Sequence, residues 1–104
     1  MRQLEEIARR KTAALIEASV VTGGLAGQAS PHELESLRRY GSRLGLAFQL
    51  KDDLHDQDGL VSALGPEAVQ RRADQLIDQA ERALRPFGAQ ASVLHELADW
   101  LART

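Results

Sequence analysis

The most informative part of this sequence reads Gly45-Leu46-Ala47-Phe48-Gln49-Leu50-Lys51-Asp52-Asp53-Leu54-His55-Asp56, an apolar run that ends in three aspartates. Residues four apart lie one above the other on a helix, so Asp52 and Asp56 share a face, whereas Asp53 is rotated by about 100°. Two carboxylates one turn apart repel each other unless a cation lies between them. Oxygen ligands with no cysteine nearby suit a hard ion such as Mg²⁺, which is commonly held by one or two carboxylates together with substrate phosphates.

A second interpretation of the same residues is a solvated helix end with exposed acids. Carboxylates at a helix C-terminus oppose the helix dipole, so they are unfavourable there without a cation as partner. Taken from the residues alone, the metal site and the solvated helix end are about equally well supported.

The aspartates close a helix that we predict over residues 31–56. Ser30 and Glu33 form a capping box with Pro31 at the first helical position, the clearest helix start in the chain. The helix is apolar on more than one side, which predicts a central helix with neighbours around it. Gly41 and Gly45 each lower helix propensity by about 1 kcal/mol. They indicate close approach by a partner helix or a ligand, or simple tight packing.

Three further helices follow from apolar spacing and from proline, glycine and serine signals. The first is predicted from Leu4 to about residue 21 and stops at Gly23-Gly24. Its apolar residues are Leu4, Ile7, Ala8, Leu15 and Ala18, with Lys11 on the same stripe. A lysine there either snorkels at a bundle edge or meets something other than core.

The other two helices occupy the C-terminal part of the chain. After a short apolar turn over residues 60–64, one helix opens at Pro66, runs through an apolar series that ends at Phe87, and is closed by Pro86 and Gly88. The last helix is predicted to be capped by Ser92. Its inward residues are predicted to be Val93, Leu94, Leu97, Trp100 and Leu101.

Length and composition predict one all-α domain of about four helices that covers residues 1–104. Hydrophobic residues make up 43% and charged residues 27%, an ordinary balance for a folded chain. The net charge of −2 with interspersed signs gives no reason to expect a nucleic-acid partner. The chain has no cysteine, no run long enough for a membrane span and no signal-peptide pattern, so we expect a cytoplasmic protein.

The string Phe48-Gln49 followed by Asp52-Asp53-x-x-Asp56 resembles the second aspartate-rich motif of the trans-isoprenyl diphosphate synthases (polyprenyl synthetase family). Upstream, Lys11-Thr12 resembles the pair that this family brings to its allylic diphosphate. Residues 60–65 and 98–101 resemble the family's later helices. The resemblance implies a helical bundle that is part of the isoprenoid synthase fold, and a prenyltransferase that condenses isopentenyl diphosphate with an allylic diphosphate.

The resemblance also implies a role for each site residue. Asp52 would hold Mg²⁺ most directly, with Asp53 and Asp56 acting directly or through water. Lys11 would pair with the diphosphate, and Thr12 and Gln49 would place oxygens near the cation. Phe48 would line the pocket of the prenyl chain. Allylic diphosphate or pyrophosphate is therefore the expected ligand.

Several family elements are absent from these residues: the first aspartate-rich motif, the Gly-Gly-Lys-Arg-x-Arg-Pro element, and the lysine-bearing loop after the second motif. We therefore expect a C-terminal fragment or a naturally shortened relative that is inactive alone. The alternative is a non-catalytic helical interaction or oligomerisation module derived from the same fold. Because the long second helix is apolar on several sides, we also expect a homodimer.

Overall fold

The computed structural model describes residues 2–56 and 63–104, without the side chains of residue 2 and residues 4–9. Its long α-helices are α1 (Arg2–Ala26), α2 (Pro31–Asp56), α3 (Pro66–Ala83) and α4 (Ser92–Arg103), with a 3₁₀ helix at Arg85–Ala91 between the last two. Every regular element in the described ranges is helical, which confirms the all-α prediction. In the same ranges, no helix has the length and apolar character needed to cross a bilayer.

The central element is α2, with α1 packed along one side and α3 along another, while α4 packs on α3 and the 3₁₀ helix. The predicted bounds of α2 are confirmed, and so is its capping box. The Ser30 amide donates to Oε1 of Glu33 at 2.8 Å, and the Glu33 amide donates to Oγ of Ser30 at 3.1 Å. Two backbone donors that a helix start leaves unpaired are thereby satisfied. The core of the bundle is formed by Leu37, Tyr40, Leu44, Ala47, Leu50, Val69, Ala73, Leu76, Ile77, Ala80, Leu84, Ala91, Ala98 and Leu101.

Glycines let α1 and α2 approach each other backbone to backbone. A Cβ on Gly41 would lie 2.8 Å from Cα of Glu17, and one on Gly45 would lie 3.0 Å from the carbonyl oxygen of Ala13. Both glycines are buried. Of the interpretations that the sequence left open for Gly41 and Gly45, the structure shows close approach by a partner helix.

The first helix extends further than predicted, and a different face of it is buried. Gly23 and Gly24 do not stop α1, which continues to Ala26 and is followed by a turn with Gln28 at φ 61°. Leu15, which was expected to face inward, is 66% exposed, whereas Ile16 and Val20 pack against the core. The predicted apolar positions at 4, 7 and 8 lie outside the described side chains. Because glycine accepts helical φ and ψ, it ends a helix only where a residue with positive φ is required.

The third helix starts at Pro66 as predicted and ends at Ala83, before its apolar series does. Phe87 belongs to the 3₁₀ helix, which bends at Gly88. The φ of Gly88 is 56°, a backbone conformation that favours glycine. Of the short turn predicted over residues 60–64, Ala63 and Leu64 are helical. The rest of that turn lies outside the described residues.

Two predictions for the last helix are wrong. Ser92 is not its cap, because the 3₁₀ helix continues directly into α4, and the residue before the helix is Ala91. Of the five residues predicted to pack inward, Leu94 and Leu101 do, whereas three are exposed to 71%, 42% and 53%: Val93, Leu97 and Trp100. The buried face is instead Leu94, Ala98 and Leu101, rotated by one residue, or about 100°, from the exposed series.

Candidate functional site

The candidate site lies at the C-terminal end of α2, where the helix presents its aspartates. Asp52 and Asp53 are half-buried and Asp56 is exposed. Phe48 and Gln49, one turn earlier, are half-buried as well. One continuous helix therefore holds all five predicted site residues of this string in fixed register. Their spacing depends on the backbone of α2 and not on a loop.

The shared face of Asp52 and Asp56 is also the face through which α2 meets α1. Asp52 is seven residues after Gly45, so at 3.6 residues per turn both lie on nearly the same side of α2. Gly45 contacts Ala13 of α1. The carboxylates thus extend from the edge of the α1–α2 seam, where two backbones run close together.

The other two predicted residues, Lys11 and Thr12, lie on α1 and are exposed. Ala13 lies opposite Gly45 and Glu17 lies opposite Gly41, so Lys11 and Thr12 lie near the level of residues 46–47 along the bundle. Lys11 is about 200° around α1 from Ala13, so it projects on the side of α1 away from that contact. Within this chain, the lysine and the aspartates therefore lie on different faces of the helix pair.

The donor set can be compared with what a hard cation needs. Among the residues that the structure describes, no three histidine, aspartate or glutamate side chains converge as a ligand group. Asp53 is turned by about 100° from Asp52, which leaves Asp52 and Asp56 as the pair on one face. Mg²⁺ fits such a pair, because it is commonly bound by one or two carboxylates with the remaining oxygens supplied by phosphates and water.

Sequence reasoning missed Lys51, a charged residue inside the aspartate string. Its side chain is 5% exposed, and its Nζ donates to the carbonyl oxygen of Ala102 at 3.3 Å. Ala102 lies in the last turn of α4, where a cation interacts favourably with the helix dipole. Lys51 therefore fastens the end of α4 to the same end of α2 that carries the aspartates. A lysine among acids predicts a solvated side chain, so nothing in the string signalled its burial.

Tyr40 was also missed, and it joins α2 to α4 at a second point. It is fully buried, and its hydroxyl donates to the carbonyl oxygen of Leu94 at 2.8 Å. Burial, and then the nearby Glu81 carboxylate, raise the pKa of the Tyr40 hydroxyl, so it remains a donor. This contact fixes which face of α4 turns inward.

Glu81 of α3, with Asp99 and His95 of α4, forms a second cluster of ionisable side chains, and Glu81 lies near Tyr40. Partial burial and a hydrogen bond with Asp99 raise the pKa of the Glu81 carboxyl above its ordinary value, while His95 acts in the opposite direction. Nδ1 of His95 lies 3.5 Å from Oε1 of Glu81. These two carboxyl groups and the imidazole interact with one another across the contact between α3 and α4. We therefore interpret them as part of that helix contact.

Comparisons with known proteins agree with the pattern at the end of α2. The sequence profile of the polyprenyl synthetase family matches residues 1–76. The chain is 35% identical to the farnesyl diphosphate synthase of Escherichia coli (strain K12), over 94% of the chain and 40% of that protein. It is 34% identical to the small subunit of a heterodimeric geranylgeranyl pyrophosphate synthase, a chloroplastic protein of Arabidopsis thaliana, over 81% of the chain and 26% of that protein.

A solved structure shows the same arrangement of helices. A protein from Marinomonas sp. MED121, assigned as a farnesyl-diphosphate synthase, superposes with a TM-score of 0.83 at 34% identity, over 98% of this chain and 40% of that one. The chain spans two fifths or less of the length of these relatives. The alignment with the E. coli protein extends over 121 positions, more than the 104 residues here, so that relative carries inserted residues.

Proposed function

This chain belongs to the polyprenyl synthetase family, and we propose that it carries one half of a prenyl-transfer site. The half-site would serve the condensation of isopentenyl diphosphate with an allylic diphosphate. The single observation that carries the proposal is the pair Asp52 and Asp56, one turn apart at the end of a central helix and on the face that meets α1. Such a pair suits a cation that is shared with a diphosphate.

The difficult step of prenyl transfer is departure of the diphosphate, so negative charge that develops on phosphate oxygens must be stabilised. Mg²⁺ supplies this charge stabilisation when bound. We assign Asp52 and Asp56 as its direct ligands and Asp53 as a ligand through water. The motif assigns Lys11 to the diphosphate, but within this chain Lys11 projects from the side of α1 away from Asp52 and Asp56. We therefore propose that Lys11 reaches the diphosphate only in a complete site.

The remaining assignments concern the prenyl chain and the region around the reacting carbon. Phe48 is half-buried beside the aspartates and would contact the hydrocarbon. Gln49 and Thr12 would place side-chain oxygens near the positive charge that develops as the diphosphate leaves. These three roles follow from the motif that the residues match, and each can be tested by a single substitution.

We further propose that the 104 residues do not catalyse the reaction alone. They contain one Asp-Asp-x-x-Asp string and lack the Gly-Gly-Lys-Arg-x-Arg-Pro element. Loss of one group that stabilises developing charge typically costs about 3–4 kcal/mol of transition-state stabilisation, and here several such groups are missing. A complete site requires a second set of carboxylates opposite the first.

Turnover assays test this half-site proposal. We expect the chain, incubated with Mg²⁺, isopentenyl diphosphate and dimethylallyl or geranyl diphosphate, to release no product above a protein-free blank. The variants Asp52→Ala and Asp78→Ala serve as a matched pair, because Asp78 is an exposed acid on α3 that pairs with Arg82 at 2.8 Å. Turnover that is present in the wild type and in Asp78→Ala but lost in Asp52→Ala would show a complete site and contradict the proposal.

A second candidate function is a non-catalytic interaction or oligomerisation module. It is favoured by large apolar side chains that remain exposed on several helices: Leu15, Leu25, Leu46, Leu97 and Trp100. The name of the Arabidopsis relative describes a subunit of a heterodimer, which supports a role in an assembly. For this chain we propose a homodimer with α2, alone or together with α1, near a two-fold axis.

Light scattering after size exclusion, repeated over a dilution series, tests the homodimer. We expect a dimer that weakens in a double variant, Leu15→Lys with Leu46→Lys, because both side chains are exposed. A monomer at every concentration would contradict this proposal and leave the half-site proposal untouched.

The cytoplasmic location expected from the sequence also stays a prediction, since the Arabidopsis relative is chloroplastic.

A further inference from the structure

A cavity of about 540 Å³ opens between the C-terminal part of α1, the start of α2, the 3₁₀ helix and the start of α4. Its apolar lining includes Val20, Leu37, Phe87 and Leu94. Leu37 precedes Asp52 by 15 residues on α2, which corresponds to about 22 Å along the helix. The cavity is therefore separate from the aspartate end, and it belongs to the size range of about 300–1,000 Å³ that is typical of small-molecule sites.

Among the glycines that line the cavity, Gly23 is not needed for helix packing. Gly23 lines the cavity, and a Cβ built on it would meet no heavy atom within 4 Å. Its neighbour Gly24 differs, because a Cβ there would lie 2.5 Å from Cδ1 of Leu37. Gly24 thus serves the contact between α1 and α2, whereas Gly23 leaves space open beside the apolar wall.

The formal charge in the described lining of the cavity comes from one carboxylate. Among the described residues that line it, Glu33 is the only ionisable side chain. Hydrogen bonds from Ser30 hold the pKa of the Glu33 carboxyl below its ordinary value, so it is charged at neutral pH.

We propose that this cavity binds a small cationic amphiphile, a primary ammonium group on a short hydrocarbon chain. The hydrocarbon lies among Val20, Leu37 and Leu94, and the ammonium lies at the rim beside Glu33. An anionic head group would meet no cationic side chain among the described lining residues. The site thus differs in ligand charge from the proposed diphosphate site, and it does not depend on that proposal.

Three probes of equal chain length isolate the head group: hexylamine, hexanol and hexanoate, titrated into the ¹⁵N-labelled chain at pH 7.5. We expect hexylamine to shift the amide signals of Gly23, Gly24 and Leu37. It should bind more tightly than hexanol by roughly two- to fivefold, the size expected for an ion pair near solvent. Hexanoate should bind most weakly of the three. Equal affinity of the amine and the alcohol, or tighter binding of hexanoate, would overturn the proposal.

Two variants connect the binding to named residues. Glu33→Gln keeps an acceptor for the Ser30 amide and removes the charge, so hexylamine should bind it no more tightly than hexanol does. Glu35→Gln is the matched control on the same helix, outside the cavity lining, and should leave the preference for the amine unchanged.

Gly23→Leu fills the space and should abolish the shifts with all three probes, while the circular dichroism spectrum stays helical because leucine favours helix over glycine. Binding of hexylamine that survives in both Gly23→Leu and Glu33→Gln would place the amine elsewhere and refute the site.

Discussion

The N-terminal half of α2 carries a cap and cross-helix hydrogen bonding, whereas the C-terminal half gathers three aspartates at a helix end. The first half has a reciprocal capping box, a buried tyrosine hydrogen-bonded to α4, and a glycine against the backbone of α1. The second half has three aspartates in its last five residues and a buried lysine beside them. Unfavourable local choices of this kind are expected where a fold serves function. The N-terminal half therefore contributes contacts that only hold the bundle together, and the C-terminal half adds the proposed site to its own core residues.

The largest effect expected in the stabilising half is that of Gly41→Ala. The new Cβ would lie 2.8 Å from Cα of Glu17, a backbone atom that cannot move aside. We expect the free energy of unfolding to fall by about 1–3 kcal/mol, as is usual for overpacking.

Gly23→Ala is the control for this prediction. It is also a glycine-to-alanine change within a helix, but it lies on α1, where a new Cβ would meet open space. It should raise the free energy of unfolding by about 0.5–1 kcal/mol, since alanine favours helix. Urea denaturation followed by circular dichroism measures both variants. If the two substitutions had equal effects, close contact at Gly41 would not hold α1 against α2.

A smaller loss of stability is expected for Tyr40→Phe, which removes the hydroxyl and leaves the ring. The variant should lower the free energy of unfolding by about 1 kcal/mol, the usual net value of one hydrogen bond. Thr104→Val removes a hydroxyl-to-carbonyl hydrogen bond of the same length, 2.8 Å, at the exposed residue that follows α4. That control should change stability by less than about 0.5 kcal/mol. Equal losses in the two variants would mean that burial adds nothing at Tyr40.

The smallest effect on stability is expected in the C-terminal half, for Lys51→Met. Removing the buried charge relieves its desolvation, and this offsets loss of the 3.3 Å hydrogen bond to Ala102. We expect a change in the free energy of unfolding below about 1 kcal/mol, together with faster amide hydrogen exchange in the last turn of α4. A loss larger than that of Gly41→Ala would make Lys51 a principal stabiliser and remove the contrast between the two halves.

Sequence patterns predict the bounds of a helix most reliably where neighbouring residues specify its start and its end. Ser30, Pro31 and Glu33 define the start of α2, and the run to Asp56 defines its end, so both bounds agree with the structure. The family and the all-α fold also follow from that helix. In α4, by contrast, two apolar faces differ by a single residue, and sequence periodicity cannot choose between them.

The remaining differences come from contacts between distant parts of the chain. Tyr40 donates to Leu94, and that hydrogen bond joins residues 54 positions apart. Lys51 reaches Ala102 across 51 positions. A local pattern carries no record of either contact. In the same way, the apolar spacing on α1 predicts a buried face that includes Lys11. The face that is in fact buried depends on Gly41 and Gly45 of α2, where the backbone of α1 approaches closely.

The most direct test of the half-site is a titration of the ¹⁵N-labelled chain with pyrophosphate and Mg²⁺, followed by NMR. We predict that the amide signals of residues 48–56 shift more than others, and only when both components are present, because carboxylates and phosphate oxygens share the cation. The shifts should be lost in Asp52→Ala and retained in Asp78→Ala. Shifts confined to surface arginines such as Arg71 and Arg72, or shifts unchanged in Asp52→Ala, would contradict a metal-dependent diphosphate site at the end of α2.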